Sequence, residues 1–113
     1  MAFVTVANAN ELPDLGRIIA KVDGVWVAVF RVGDYYYAIE DQCTHDGESL
    51  AETGTLLDAD TDNPRVECDR HGATFELKTG KPTFPAVVPV ARYPVRIEGD
   101  EIQVNVQEPL QTQ

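Results

Sequence analysis

Cys43-Thr44-His45-Asp46-Gly47 and Cys68-Asp69-Arg70-His71-Gly72 contain every cysteine and every histidine of a 113-residue chain. Each stretch sets one thiol ahead of one imidazole with one or two residues between, and 22 residues separate His45 from Cys68. Thiolate and imidazole are the side chains that borderline transition metals prefer. Two loops laid side by side present four of them to one centre. Gly47 and Gly72 close the two stretches. Their freedom at positive φ suits a loop bent tightly round a cluster, and backbone N–H groups in such a bend point at thiolate or sulfide.

Outward from these stretches the chain reads as short β-strands. Phe3–Val6 alternates, and Asn8–Leu12 reads as one capped helical turn stopped near Pro13. Arg17–Val22 and Val25–Val32 are β-rich runs joined by Asp23-Gly24, a strong hairpin signal. Val32-Gly33-Asp34 turns the chain into Tyr35–Glu40, which completes a meander. Trp26, Val29, Tyr36 and Ile39 are candidates for its core, and Tyr35-Tyr36-Tyr37 reads as a strand with rings on both faces. Within 41–82 apolar runs shorten and Gly, Asp, Thr and Pro become common. Leu56-Leu57 and Val66-Glu67 are short strands around the loop Asp58–Pro64, and Ala73–Leu77 is another, closed by the turn Lys78–Pro82. Pro82, Pro85 and Pro89 hold an extended segment. Tyr93–Glu98, Gly99-Asp100 and Glu101–Val106 form a last hairpin, and Gln107–Gln113 is expected to fray. A forty-residue, loop-rich stretch inside a compact domain demands a reason, and it is the stretch that holds all the Cys and His.

Composition narrows the function. The length suits one domain, residues 1–113, with 41–82 as its cluster-binding part. Nine basic against nineteen acidic residues give a net charge of −10, so nucleic acid and anionic membrane are poor partners. No apolar run approaches the roughly 20 residues of a membrane helix. The start, Met-Ala-Phe-Val-Thr-Val, has neither a basic region nor a long apolar core. A cytoplasmic, reducing location is therefore expected, where a disulfide would not persist, and a metal reading of the cysteines gains weight. Asp58, Asp60 and Asp62 echo a calcium loop, but Asn63-Pro64 follows where that loop needs glycine.

Two metals fit two Cys and two His: tetrahedral zinc, or a [2Fe–2S] centre with two Cys on one iron and two His on the other. Zinc spacings usually pair Cys with Cys and His with His, so the mixed pairs here speak for the cluster. The sequence resembles the Rieske-type ferredoxins, of the soluble, oxygenase-associated kind. Cys43–Gly47 and Cys68–Gly72 resemble that family's two cluster loops, Phe75-Glu76-Leu77-Lys78-Thr79-Gly80 the strand and turn after them, and Pro85 its proline loop. The resemblance runs from Phe3 to Val106. It implies an all-β Rieske iron–sulfur domain: an antiparallel β-sandwich or barrel base with a cluster-binding subdomain of two loops. It implies one cluster per chain, with Cys43 and Cys68 on the buried iron and His45 and His71 on the outer one.

The same resemblance implies a one-electron carrier, not an enzyme, that passes electrons from a flavin-dependent reductase to a terminal oxygenase or similar enzyme, as a monomer. Asp46, Glu48, Asp69, Arg70 and Pro85 would ring the electron exit at the His edge. A Rieske-fold small subunit of a larger reductase and a structural zinc-binding interaction module are the alternatives. The chain departs from high-potential relatives in two ways. Glu48 and Arg70 stand where those proteins have a disulfide, and Ala73 and Phe75 where they have hydroxyls that bond to sulfur. A potential low in the Rieske range is expected. The gap between the loops is also lengthened, at Leu57–Pro64, either as an acidic finger that helps choose a docking partner or as a longer solvated hairpin.

Overall fold

A computed structural model of the chain describes residues 3–69 and 72–111. Its strands are β1 (Val4–Asn8), β2 (Arg17–Val22), β3 (Val25–Val32), β4 (Tyr35–Glu40), β5 (Thr55–Leu57), β6 (Arg65–Glu67), β7 (Thr74–Glu76), β8 (Arg92–Tyr93), β9 (Val95–Glu98) and β10 (Glu101–Val104). They form three antiparallel sheets, ordered β1-β10-β9, β2-β3-β4-β8 and β5-β6-β7.

The meander is where the sequence places it. Asp23 and Gly24 both sit at positive φ, which matches the twist of the strands they join, and Val22 pairs with Val25 across them. Asn8 caps the short turn Ala9–Glu11 by a reciprocal capping box with Glu11. The rings of Tyr36 and Tyr37 pack into different cores, as period-two alternation requires.

Strand β3 explains the layering. Val27, Ala28, Val29 and Phe30 are all fully buried. Ala28 and Phe30, with Ile39, enter a first core beside Val66, Phe75, Leu77 and both cysteines. Val27 and Val29, with Ala38, enter a second core beside Leu12, Ile102 and Val104. The four-stranded sheet is thus a middle layer, with the β1-β10-β9 sheet on one side and the small sheet and cluster loops on the other.

Four readings change. Trp26 is 55% exposed instead of core; it lies one residue outside the doubly buried run, and the Lys21 ammonium covers its ring at 5.6 Å. The run Tyr93–Glu98 is two strands, because Pro94 has no N–H for a ladder: β8 pairs with β4, and β9 pairs with β10 in another sheet. The C-terminal segment does not fray as far as Gln111. Leu110 N donates to Arg92 O at 2.8 Å and the Arg92 guanidinium donates to Gln111 O at 2.6 Å; the rest of the expected tail lies outside the described residues. A four-residue helix, α1 (Leu50–Thr53), also stands between the two cluster loops in sequence.

Candidate metal centre

Both cysteine loops are built to one plan. Cys43 N donates to Glu48 O at 2.8 Å, and Gly47 N returns to Cys43 O at 2.8 Å. Cys68 N donates to Ala73 O at 2.7 Å, and Gly72 N returns to Cys68 O at 3.0 Å. The offsets along the chain are identical, and both glycines take positive φ, 81° and 76°, which L side chains adopt only at a cost.

Each loop is then anchored differently. The first follows β4. Asp41 accepts from Ser49 Oγ at 2.6 Å and from Ala51 N at 2.8 Å, while Ser49 Oγ caps α1 through Glu52 N at 3.1 Å. The far end of α1 is held to β2 by Arg17, whose Nη1 donates to Gly54 O at 2.6 Å. Gly54 fits there because a Cβ would collide with Leu50 O and approach Val66 Cγ2 to 2.7 Å. Thr44 Oγ1 donates to Val88 O at 2.6 Å, which ties the loop to the proline segment. The second loop spans β6 to β7, and Asp69 accepts from Thr55 Oγ1 at 2.9 Å. Sequence reasoning missed the brace of Asp41, Ser49 and α1. Its signal was present as Ser49-Leu50-Ala51-Glu52, a helix-start pattern.

Of the four expected ligands, the structure brings Cys43 and Cys68 together. Both are free and buried, and the two sulfurs and a carboxylate oxygen of Asp46 lie within 4.8 Å of one another. The Cys68 thiol approaches Asp46 Oδ2 at 3.8 Å. His45 is exposed on the first loop. His71 and Arg70 lie outside the described residues. Pro85 is half-buried after a cis peptide bond from Phe84, and Ala86 next to it enters the core that holds both cysteines.

The surroundings of Cys43 act on its thiol in opposite directions. Burial pushes the Cys43 thiol up to about 11; the backbone N–H groups of Asp46 and His45 pull it down, and the neighbouring Cys68 adds to the rise. Two amide donors aimed at one sulfur favour its anionic form, and a cation beside it supplies what burial takes away. Two unpaired, fully buried thiols at the ends of matching loops fit the buried half of a two-iron centre. Ala73 and Phe75, where the resemblance implies hydroxyls in high-potential relatives, are fully buried and carry none. Thr74 between them spends its hydroxyl on Thr83 Oγ1 at 2.8 Å and on Arg65 Nη1 at 3.3 Å.

Comparison with known proteins agrees with this geometry. Residues 2–105 match the model of the Rieske-like [2Fe-2S] domain family. The chain is 45% identical over 83 residues, 73% of its length and 74% of the relative's, to the 3-phenylpropionate/cinnamic acid dioxygenase ferredoxin subunit of Escherichia coli strain K12. The ferredoxin of carbazole 1,9a-dioxygenase from Nocardioides aromaticivorans IC177 superposes with a TM-score of 0.84 at 36% identity, over 93% of this chain and 98% of that one. A similar chain, at TM-score 0.83 and 35% identity over 97% of this chain and 98% of that one, comes from a complex of reduced oxygenase and oxidised ferredoxin in carbazole 1,9a-dioxygenase.

Proposed function

The chain belongs to the Rieske-like [2Fe–2S] domain family, and from that premise we propose that it relays single electrons from a flavin-dependent reductase to a terminal oxygenase or similar enzyme. It is a ferredoxin, an electron-transfer component and not itself the catalyst, and its cofactor is a Rieske cluster. The observation that carries the proposal is the pair of free, buried thiols on twin loops, in a chain 45% identical to a dioxygenase ferredoxin subunit. Among the described residues no helix is long and apolar enough to cross a membrane. A cytoplasmic monomer, folded as one domain over residues 1–113, completes the reading.

When bound, the cluster supplies a one-electron couple. Cys43 and Cys68 would hold its inner iron, and His45 and His71 its outer one. The backbone amides of Asp46 and His45 stabilise the Cys43 thiolate. Phe75, Leu50 and Ala86 are buried in the same core as the two cysteines. Exposed His45 would mark the edge from which an electron leaves. With Ala73 and Phe75 unable to donate to sulfur, the midpoint falls toward the low end of the roughly −150 to +300 mV Rieske range. Protein-film voltammetry checks this, and a clearly positive midpoint at neutral pH contradicts it.

Optical and low-temperature EPR spectra, taken before and after dithionite, test the function. Visible bands that bleach, with a rhombic signal of low average g in the reduced protein, are the expected result. A colourless, EPR-silent protein with stoichiometric zinc would leave the structural zinc module instead.

A further inference from the structure

Among the described residues a single buried side-chain polar atom lacks a hydrogen bond: Arg92 Nε. Arg92 is 9% exposed and lies opposite Ile39 in the ladder of β4 and β8. Its stem passes over Gly80, where a Cβ would come within 3.5 Å of Arg92 Cγ. A guanidinium carries five N–H donors. Among the described residues this one makes a single hydrogen bond, from Nη2 to Gln111 O at 2.6 Å, and has no carboxylate partner. Burial lowers its pKa, as it does for a cation short of compensation. A buried charge without a partner is costly to keep, and unmet donors of this kind call for an acceptor.

The cavity that Arg92 lines has the matching character. It holds about 310 Å³ between the turn after β7, the junction of β8 and β9, and the C-terminal segment. Lys78 is its second cation, and no carboxylate is among the described residues that line it. That is unexpected in a chain with nineteen acidic residues and a net charge of −10. Much of the remaining wall is apolar: Leu77, Pro94, Val95 and Leu110, with Tyr36 and Tyr93. Lys78 also borders the groove of Asp14, Asp34, Asp60 and Asp62, which offsets part of its charge, so Arg92 is the stronger anchor. The Gln111 carbonyl is a neutral acceptor, and an anion on the same guanidinium makes charge-assisted bonds, which are stronger.

We infer that this cavity binds a small organic monocarboxylate, its carboxylate on the Arg92 guanidinium and its apolar body against Leu77, Pro94, Val95 and Leu110. The planar fork of arginine matches a carboxylate. A volume of about 310 Å³ stands at the small end of ligand pockets, room for one ring or a short chain. Inorganic phosphate would suit the guanidinium equally but would leave the apolar wall in water. None of these residues belongs to either cysteine loop, so the inference does not rest on the electron-carrier reading.

Benzoate is the probe. It is titrated into cluster-loaded, oxidised protein and followed by amide NMR shifts. Saturable binding of one benzoate per chain is expected, with the largest shifts at Lys78, Arg92, Val95 and Leu110. Benzamide, of the same shape without the charge, should bind about tenfold more weakly, and so should inorganic phosphate, which buries no apolar surface (about tenfold). Arg92→Met should keep the wild-type visible spectrum and lose about tenfold in benzoate affinity. Lys78→Ala should lose about twofold at low salt and almost nothing in about 0.5 M salt, where an exposed charge is screened. Benzoate that does not saturate, or that binds Arg92→Met as it binds wild type, would overturn the site. Phosphate that binds as tightly as benzoate would overturn the assignment to a carboxylate with an apolar body. Should Arg92→Met fail to fold, the comparison of benzoate with benzamide on wild-type protein decides: equal affinities overturn the inference.

Discussion

The molecule has two ends, and they are built from opposite materials. At one, the cysteine loops are tied to β4, α1 and the proline segment by hydrogen bonds to Asp41, Ser49 and Thr44, and large apolar side chains stand beside them in water. At the other, where β3 ends and β4 begins, the tip 58–64 of the β5–β6 hairpin faces Asp14, Asp34 and Tyr35 across a groove of about 670 Å³. Asp58 and the polar residues around it bond locally. Asp58 pairs with Arg65 at 2.6 Å, Thr61 N and Oγ1 both donate to Asp58 O, and Asn63 reaches Glu76. The lengthened segment has the hydrogen bonding of a solvated hairpin, and it stands at the far side of the small sheet from the thiols. The difference separates two uses of surface: at the cysteine end polar groups fix a site, and at the tip they satisfy a turn.

Removing a thiol breaks this contrast most severely. Cys68→Ser should abolish cluster loading, read as loss of visible absorption and of protein-bound iron. Asp60→Asn at the other end should leave both unchanged. The next largest effect belongs to the brace. Asp41→Ala strands the Ser49 hydroxyl and the Ala51 amide and should cost about 2 kcal/mol. It should appear in denaturant unfolding of the loaded protein and as faster cluster loss.

The smallest effect sharpens the picture of the tip. The Glu76 carboxyl is held below its usual pKa chiefly by the Thr79 hydroxyl, then by Asn63, Lys81 and Arg65. A depressed folded pKa means stability that is present above the unfolded value, roughly 4.3, and lost as pH falls through the folded one. Glu76→Gln should therefore lose a small part of the stability above about pH 4.3, neutral pH included, match the wild type at lower pH, and so flatten the acid limb of a pH–stability profile. An unaltered acid limb would show that these contacts do not outlast solvent competition.

The sequence made the meander legible because Asp23-Gly24 and Gly33 leave few alternatives to tight turns. The thiols were legible because Cys and His occur nowhere else. Trp26 was not, for a physical reason: Val25-Trp26-Val27-Ala28-Val29-Phe30 is apolar throughout, since the middle of β3 is buried on both faces, and such a run carries no alternation to mark where burial stops. Helix α1 has four residues, too few for a 3.6-residue period to show. Pro94 marked a break that the alternation on either side concealed. The exposed Phe84, Val87 and Val88 contradict the rule that large apolar side chains bury, which a sequence reading has to assume.

The matching hydrogen-bond plan of the two cysteine loops bears on speed. Each loop closes on its own backbone: the cysteine amide and carbonyl are both spoken for within six residues, and side-chain bonds to Val88 and Thr55 tie the loops to the rest of the fold. Dipoles fixed in this way do not have to reorient when the charge between them changes by one. With a cluster held between the loops, such fixed dipoles would keep the protein's share of the reorganisation energy low, and driving force and the distance between centres would then set the rate.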